Sequence, residues 1–271
     1  MKNLLVRSLT GIVFVAVMLA SLFLGEFTYG ILFLAILLGM LYEFFNITGS
    51  LGFQPHRFIA SLTGALTFVL SFLIASQRIS PLWFFSIFPF ILITFVNELF
   101  ANKKHSLQNI AISLSALIYA ALPMSLSNYL VFSKFHGAYS ANLFLALLII
   151  IWVYDSGAYL FGVSFGKHRL FERISPKKSW EGAIGGTLLA LGAAAVIAQY
   201  ITQISLVHWL ILGFLIVVAS TLGDLTESMI KRQFGVKDSG SIFPGHGGIL
   251  DRFDSLLFAI PVFVCYLEVF I

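Results

Sequence analysis

Residues 182–223 contain no Asp, Glu, Lys or Arg. A helix crosses the hydrocarbon core of a bilayer in about 20 apolar residues. The stretch is therefore about two crossings long and must turn, near Thr202-Gln203-Ile204-Ser205. Composition extends the argument to the whole chain. Of 271 residues, 59% are hydrophobic and 10% are charged, where ordinary globular domains carry roughly 25% charged residues. So little charge cannot clothe a soluble core of this size. Soluble enzymes, disordered chains and disulfide scaffolds are excluded, the last because Cys265 is the only cysteine.

Predominantly apolar runs tile the chain near 8–24, 28–46, 58–75, 82–100, 108–127, 141–162, 183–201, 207–226 and 253–271. The expected fold is an all-α polytopic membrane protein of about nine transmembrane helices. Strand-period alternation is absent, which argues against an outer-membrane barrel. The first span has the charged start of a signal peptide but a long apolar run, and is read as retained. Residues 1–140 then form an anchoring scaffold, and 141–271 a catalytic region with polar loops at 163–182 and 227–252.

Cations orient these spans. Lys2, Arg7, Arg57, Lys103, Lys104, Lys167, Arg169, Arg173, Lys177, Lys178, Lys231, Arg232, Lys237 and Arg252 fall on the side of the N-terminus, and only Arg78 and Lys134 on the other. The positive-inside rule places the N-terminus in the cytoplasm. An odd span count places the C-terminus on the opposite side.

Charge inside a bilayer is costly and marks function. Asp155 lies about 10 Å inside the sixth span, Asp224 ends the eighth, and Asp251 and Asp254 open the ninth. All four belong to the cytoplasmic half, beside both basic loops. Asp251 and Asp254 are three residues apart, as are neighbours on one helix face, and Asp224 and Ser228 four apart, as are Glu227 and Lys231. Like charges so placed are tolerable when one is protonated or a cation lies between them. Oxygen-only donors suit a hard ion such as Mg²⁺. The loop 227–252 carries five glycines and a proline, which exclude one continuous helix. Gly245, Gly247 and Gly248 around His246 leave backbone N–H groups able to approach an anion. A plainer reading, of interfacial caps and topological cations, explains the sign of the charges but not the glycines, the histidine or the alternating acids.

Other matches fail on context. Gly162-Val163-Ser164-Phe165-Gly166 fits a nucleophile elbow but follows a membrane helix rather than a strand. Gly162 to His168 is one residue short of a P-loop. His56, His105, His136 and His208 are read as lone interfacial residues. A transporter or channel is the main rival class, since buried acids in a helix bundle also mark ion paths. The CDP-alcohol phosphatidyltransferases use an Asp-Gly-x-x-Ala-Arg motif that this chain lacks.

The run Ser228-x-x-Lys231-Arg232-x-x-x-x-Lys237-Asp238-x-Gly240-x-x-x-Pro244-x-His246-Gly247-Gly248-x-x-Asp251-Arg252-x-Asp254-Ser255 resembles the signature of the phosphatidate cytidylyltransferases, also called CDP-diacylglycerol synthases. Upstream, Asp155-Ser156-Gly157-Ala158-Tyr159 and Ser175-Pro176-Lys177-Lys178-Ser179-Trp180-Glu181-Gly182 resemble the family's second block, with Ser179 where Thr is commoner. The resemblance is specific over roughly 152–255; the first 140 residues agree only in their hydrophobic spans. It implies an integral membrane enzyme, in a bacterial inner membrane with its active site at the cytoplasmic face. That enzyme transfers CMP from CTP to phosphatidic acid and releases pyrophosphate. The resemblance also implies Mg²⁺ with K⁺ beside it, a homodimer, membrane lipid as partner and no nucleic acid.

On that reading Asp224 and Asp251 are metal ligands, and Asp254 is a further ligand or a partner of the ligands. Lys231, Arg232, Lys237 and Arg252 clamp phosphates, Asp238 belongs to the same catalytic run, and His246 donates to the leaving group. Lys177, Lys178, Ser228, Gly247 and Gly248 help to bind substrate, and Asp155 lines the head-group cavity.

Overall fold

The computed structural model describes residues 2–135, 138–242 and 247–271, with side chains from residue 9 onward in the first helix. Among the described residues there are nine long helices: α1 (Lys2–Leu24), α2 (Glu26–Gly49), α3 (Arg57–Ala75), α4 (Pro81–Ala101), α5 (Ser106–Val131), α6 (Asn142–Phe165), α7 (Trp180–Tyr200), α8 (Leu206–Gln233) and α9 (Leu250–Phe270). From α2 to α9, all eight are long and apolar enough to cross a membrane, and Leu9–Leu24 of α1 is a shorter apolar helix. The expected polytopic helical fold is the fold observed. Among the described residues, the two-stranded sheet is a hairpin of β1 (Arg169–Phe171) and β2 (Ser175–Ser179). Large apolar side chains such as Phe58, Leu99, Phe100 and Tyr200 remain exposed, as lipid-facing surfaces require.

Helix ends follow local chemistry. Gly25, at φ 130°, breaks α1 from α2. Within α5 the ladder slips into a π-turn at Leu117–Ala121, immediately before Pro123. That proline has no N–H to offer the ordinary α-helical pattern. The segment 202–205 separates α7 from α8, as the uncharged stretch demanded.

Both polar loops are shorter than sequence suggests. α6 runs to Phe165 and α7 begins at Trp180, so only 166–179 is non-helical, and the hairpin occupies most of it. α8 runs to Gln233 and α9 begins at Leu250, leaving 234–249. Ser228, Lys231 and Arg232 are therefore helical residues. Hydropathy locates the end of an apolar span, whereas backbone hydrogen bonds carry a helix on into water.

The chain divides into two compact units, residues 1–139 with 233–253, and residues 140–232 with 254–271. In the first unit α2 is the core helix: Tyr29, Phe33, Leu37, Met40 and Leu41 are wholly buried. The Tyr29 and Ser127 hydroxyls share a hydrogen bond of 2.6 Å. In the second unit α6 and α7 touch backbone to backbone. A Cβ on Gly186 would lie 2.7 Å from the Tyr154 carbonyl oxygen, and one on Gly182 would lie 2.6 Å from that of Ala158. Small residues four apart make this contact possible, as between helices in lipid generally.

Candidate functional site

In the second unit, Ser179 caps α7 by accepting the Gly182 N–H at 3.2 Å. Glu181, in the first turn, accepts the backbone N–H groups of Lys167 at 3.1 Å and His168 at 3.2 Å. It also meets His168 Nδ1 at 2.6 Å. The Trp180 N–H donates to the His168 carbonyl at 2.9 Å. These bonds pin both ends of the hairpin to the start of α7 and so place Lys177 and Lys178 on β2.

Lys178 Nζ then reaches Asp224 Oδ2 on α8 at 2.5 Å, with both side chains partly exposed. Ser228, one turn on, donates to Asp224 Oδ1 at 3.3 Å. The four-residue spacing read from sequence thus closes as a contact. Glu227 and Lys231, also four apart, form an ion pair with the Glu227 side chain 1% exposed. Asp155 and Asp254 lie within electrostatic reach of Asp224 and of each other, Asp155 also of Lys178 and Asp254 also of Lys231. Negative charge gathers here and is met by two ammonium groups.

A cavity of about 210 Å³ opens beside this cluster, lined by Asp155, Lys177, Lys178, Tyr154, Tyr159 and Ser179 among others. Asp155 is exposed at this cavity. A second cavity, of about 480 Å³, shares Tyr154, Leu170 and Ala183 with the first. Phe171, Trp180, Ile184, Leu188 and Phe214 make its remaining wall chiefly apolar. A charged pocket and an apolar one thus meet at a common edge. The Tyr154 and Thr221 hydroxyls share a hydrogen bond of 2.6 Å at that edge.

The first unit holds Asp251, at the start of α9. Its Oδ2 accepts the N–H of Gly248 at 2.7 Å and of Ser239 at 2.9 Å, and the Ser239 hydroxyl lies 2.9 Å away. Gly248 therefore directs its N–H to Asp251. Gly247 has φ +80°, and a side chain there would meet the same carboxylate. Lys237, Asp238, Arg252 and, in the second unit, Arg232 and Lys177 are exposed. Asp254 is on α9 with Ser255, whose N–H meets Asp254 Oδ1 at 2.6 Å. His246, with Phe243, Pro244 and Gly245, and His136 lie outside the described residues.

Sequence reasoning missed Glu43. This acid of α2 is 2% exposed. Its Oε1 accepts the Ile249 N–H, and its Oε2 accepts the Leu250 N–H and faces the Ser239 hydroxyl, each at 2.9 Å. The available signal was one acid in the middle of an otherwise apolar span. Glu98, also missed, is buried against His56 Nε2 at 2.7 Å and accepts from Asn109 Nδ2 at 2.8 Å. His56 is therefore not a lone residue. Neither is His208, whose Nδ1 lies 2.8 Å from the Tyr266 hydroxyl.

Among the described residues no group of three His, Cys, Asp or Glu side chains is gathered as a metal-ligating cluster. In kind, the donors fit a hard cation. They are all oxygens, and the carboxylates around Asp224 accumulate negative charge where a cation is favoured.

Fold and site together define a polytopic membrane protein with a charged pocket beside an apolar one. Residues 5–270 match the Cytidylyltransferase family, and the chain belongs to that family of nucleotidyltransferases. It is similar to the phosphatidate cytidylyltransferase of Staphylococcus saprophyticus, 34% identical over 267 residues, covering 95% of this chain and 96% of that one. The Haemophilus influenzae phosphatidate cytidylyltransferase is 43% identical over 169 residues, covering 59% of this chain and 57% of that one. The Staphylococcus aureus phosphatidate cytidylyltransferase is 49% identical over 116 residues, 42% of this chain and 44% of that one. In these last two alignments the chain spans about half the length of its relative.

Proposed function

We propose that this protein transfers the CMP moiety of CTP to phosphatidic acid, forming CDP-diacylglycerol and pyrophosphate. The observation that carries the reading is the shared edge of the two cavities. Lys177 and Lys178 line the one suited to a phosphate, and the apolar neighbour suits an acyl chain. Family membership and relatives named phosphatidate cytidylyltransferase support it.

The lipid phosphate is already anionic at neutral pH, so the attacking oxygen needs no strong protein base. It forms a bond to the α-phosphorus of CTP while the bond to the bridging α–β oxygen breaks, and pyrophosphate leaves with that electron pair. The barrier is electrostatic and positional: two anions must meet and a third must depart. Lys177 and Lys178 hold the lipid phosphate. Arg232, Lys237 and Arg252, all exposed, screen the triphosphate, with Asp238 in the same run and His246 donating to the leaving pyrophosphate; Lys231, buried against Glu227, supports that run from within α8. Ser228 orients Asp224; Gly247 and Gly248 shape the loop against the substrate. Asp224 and Asp251 would be ligands of Mg²⁺, with Asp254 a further ligand or a partner of the ligands and K⁺ as a companion ion. The divalent ion supplies neutralising charge at the phosphates. A homodimer, and a site facing the cytoplasm of a bacterial inner membrane, belong to the same proposal. The cation asymmetry and the bacterial relatives favour that placement.

The test is to incubate detergent-solubilised protein with phosphatidic acid, labelled CTP and Mg²⁺ and to identify both products. CDP-diacylglycerol with pyrophosphate is expected. Release of CDP would establish a lipid kinase instead. Ion flux in liposomes without pyrophosphate release would establish a transporter.

A further inference from the structure

Glu43 is separated from residues 239–250 by about two hundred positions, yet its carboxylate is the hub on which that segment is folded. Ile249 and Leu250 N–H groups would be unsatisfied donors at the start of α9, since a helix leaves its first amides without intrahelical partners. Glu43 accepts both, one on each carboxylate oxygen. The same oxygen that takes Leu250 lies 2.9 Å from the Ser239 hydroxyl, and that hydroxyl lies 2.9 Å from Asp251 Oδ2. The Ser239 N–H also donates to Asp251 Oδ2. A chain of short polar contacts thus runs from α2, through Ser239, to an acid placed in the catalytic run. The glycines fit the same design. A Cβ on Gly240 or Gly248 would run into the Glu43 carboxylate, so the backbone closes around it only because both lack side chains.

Burial makes the arrangement costly unless it is complete. A carboxylate 2% exposed is tolerated when its oxygens are supplied with donors, and here backbone amides supply them. Anchorage of α2 alone would need no acid at this position, because Met40, Leu41, Phe44 and Phe45 around it pack by apolar contact.

We infer that Glu43 is a positioning residue of the transferase site: through Ser239 and the first amides of α9, it sets the orientation of the Asp251 carboxylate. The inference rests on the cytidylyltransferase reading for the role of Asp251, whereas the hydrogen-bond network stands apart from it.

Glu43→Gln keeps the shape but replaces one accepting oxygen with an NH₂ group, which faces donors it cannot satisfy. Measured per folded, monodisperse molecule in detergent, it is expected to lower kcat at least tenfold, leaving KM for CTP and for phosphatidic acid within about twofold. Ser239→Ala removes the bridging hydroxyl and should lower kcat about fivefold. The double variant should be no slower than Glu43→Gln alone, because both substitutions cut one path. Glu43→Asp, which retains both acceptors, should recover part of the loss. A kcat for Glu43→Gln within twofold of the parent, or fully multiplicative losses in the double variant, overturns the proposal. Hydrogen–deuterium exchange reads the contact without activity. The Ile249 and Leu250 amides should exchange at least tenfold faster in Glu43→Gln, with the other membrane helices unchanged. Unchanged exchange at 249–250 also overturns it. If the parent protein makes no CDP-lipid, the functional reading fails, and the positioning of Asp251 is decided by the exchange data alone.

Discussion

Asp251 and Asp224 both belong to the run proposed to be catalytic, yet the two units hold them by opposite means. Asp251 is gripped by Gly248 and Ser239 N–H groups, which are fixed dipoles of a folded backbone. Asp224 is met by the ammonium of Lys178 on a partly exposed side chain and by one serine hydroxyl. A backbone amide cannot leave without unfolding its loop. A lysine head on a flexible four-carbon stem can swing away and exchange one anion for another. The first arrangement preserves geometry, and the second leaves room for a substrate or a cation to enter.

That contrast can be broken most severely at the exchangeable acid. Asp224→Asn should reduce CDP-lipid formation at least about 100-fold, the scale of losing a charged transition-state partner, with membrane insertion intact. Near-normal turnover at limiting Mg²⁺, read by labelled CTP, would remove Asp224 from the site. Next in size is Glu227→Gln, which strips the buried countercharge from Lys231. A loss of about 3 kcal/mol is expected in detergent unfolding curves, and a change below about 1 kcal/mol would show that the pair is dispensable. Gly247→Ala tests the rigid side. The left-handed backbone costs a side chain about 1–2 kcal/mol, and the new methyl group meets Asp251. The expected readout is a fall in kcat with unchanged KM for CTP. Ser228→Ala should have the smallest effect. Losing a 3.3 Å hydrogen bond to Asp224 should change kcat about two- to fivefold, on the scale of about 1 kcal/mol for one hydrogen bond. A larger loss than from Ser239→Ala would reverse the assignment of which acid is held more firmly.

Much of this was readable along the chain because it is local or periodic. Apolar runs found the helices, and four-residue spacing found Asp224 with Ser228 and Glu227 with Lys231. The hairpin at 169–179 was not readable: its strands are three and five residues long, and Glu181 and Trp180 hold its base, at Lys167 and His168, against the start of α7. Ser228, Lys231 and Arg232 belong to a helix that outlasts its apolar span. The pairing of Glu98 with His56 joins the end of α4 to the residue before α3, which no periodicity links.

By itself the sequence determined residence in a membrane, the number of helices and the run of residues shared with the cytidylyltransferases. Those follow from transfer free energy and helix period, which act residue by residue. Only tertiary structure decided which charges meet. Glu43 belongs to Ser239 and the first amides of α9, and Lys178 to Asp224. Such pairings depend on distances of about 3 Å between residues far apart in sequence, and no local rule measures those.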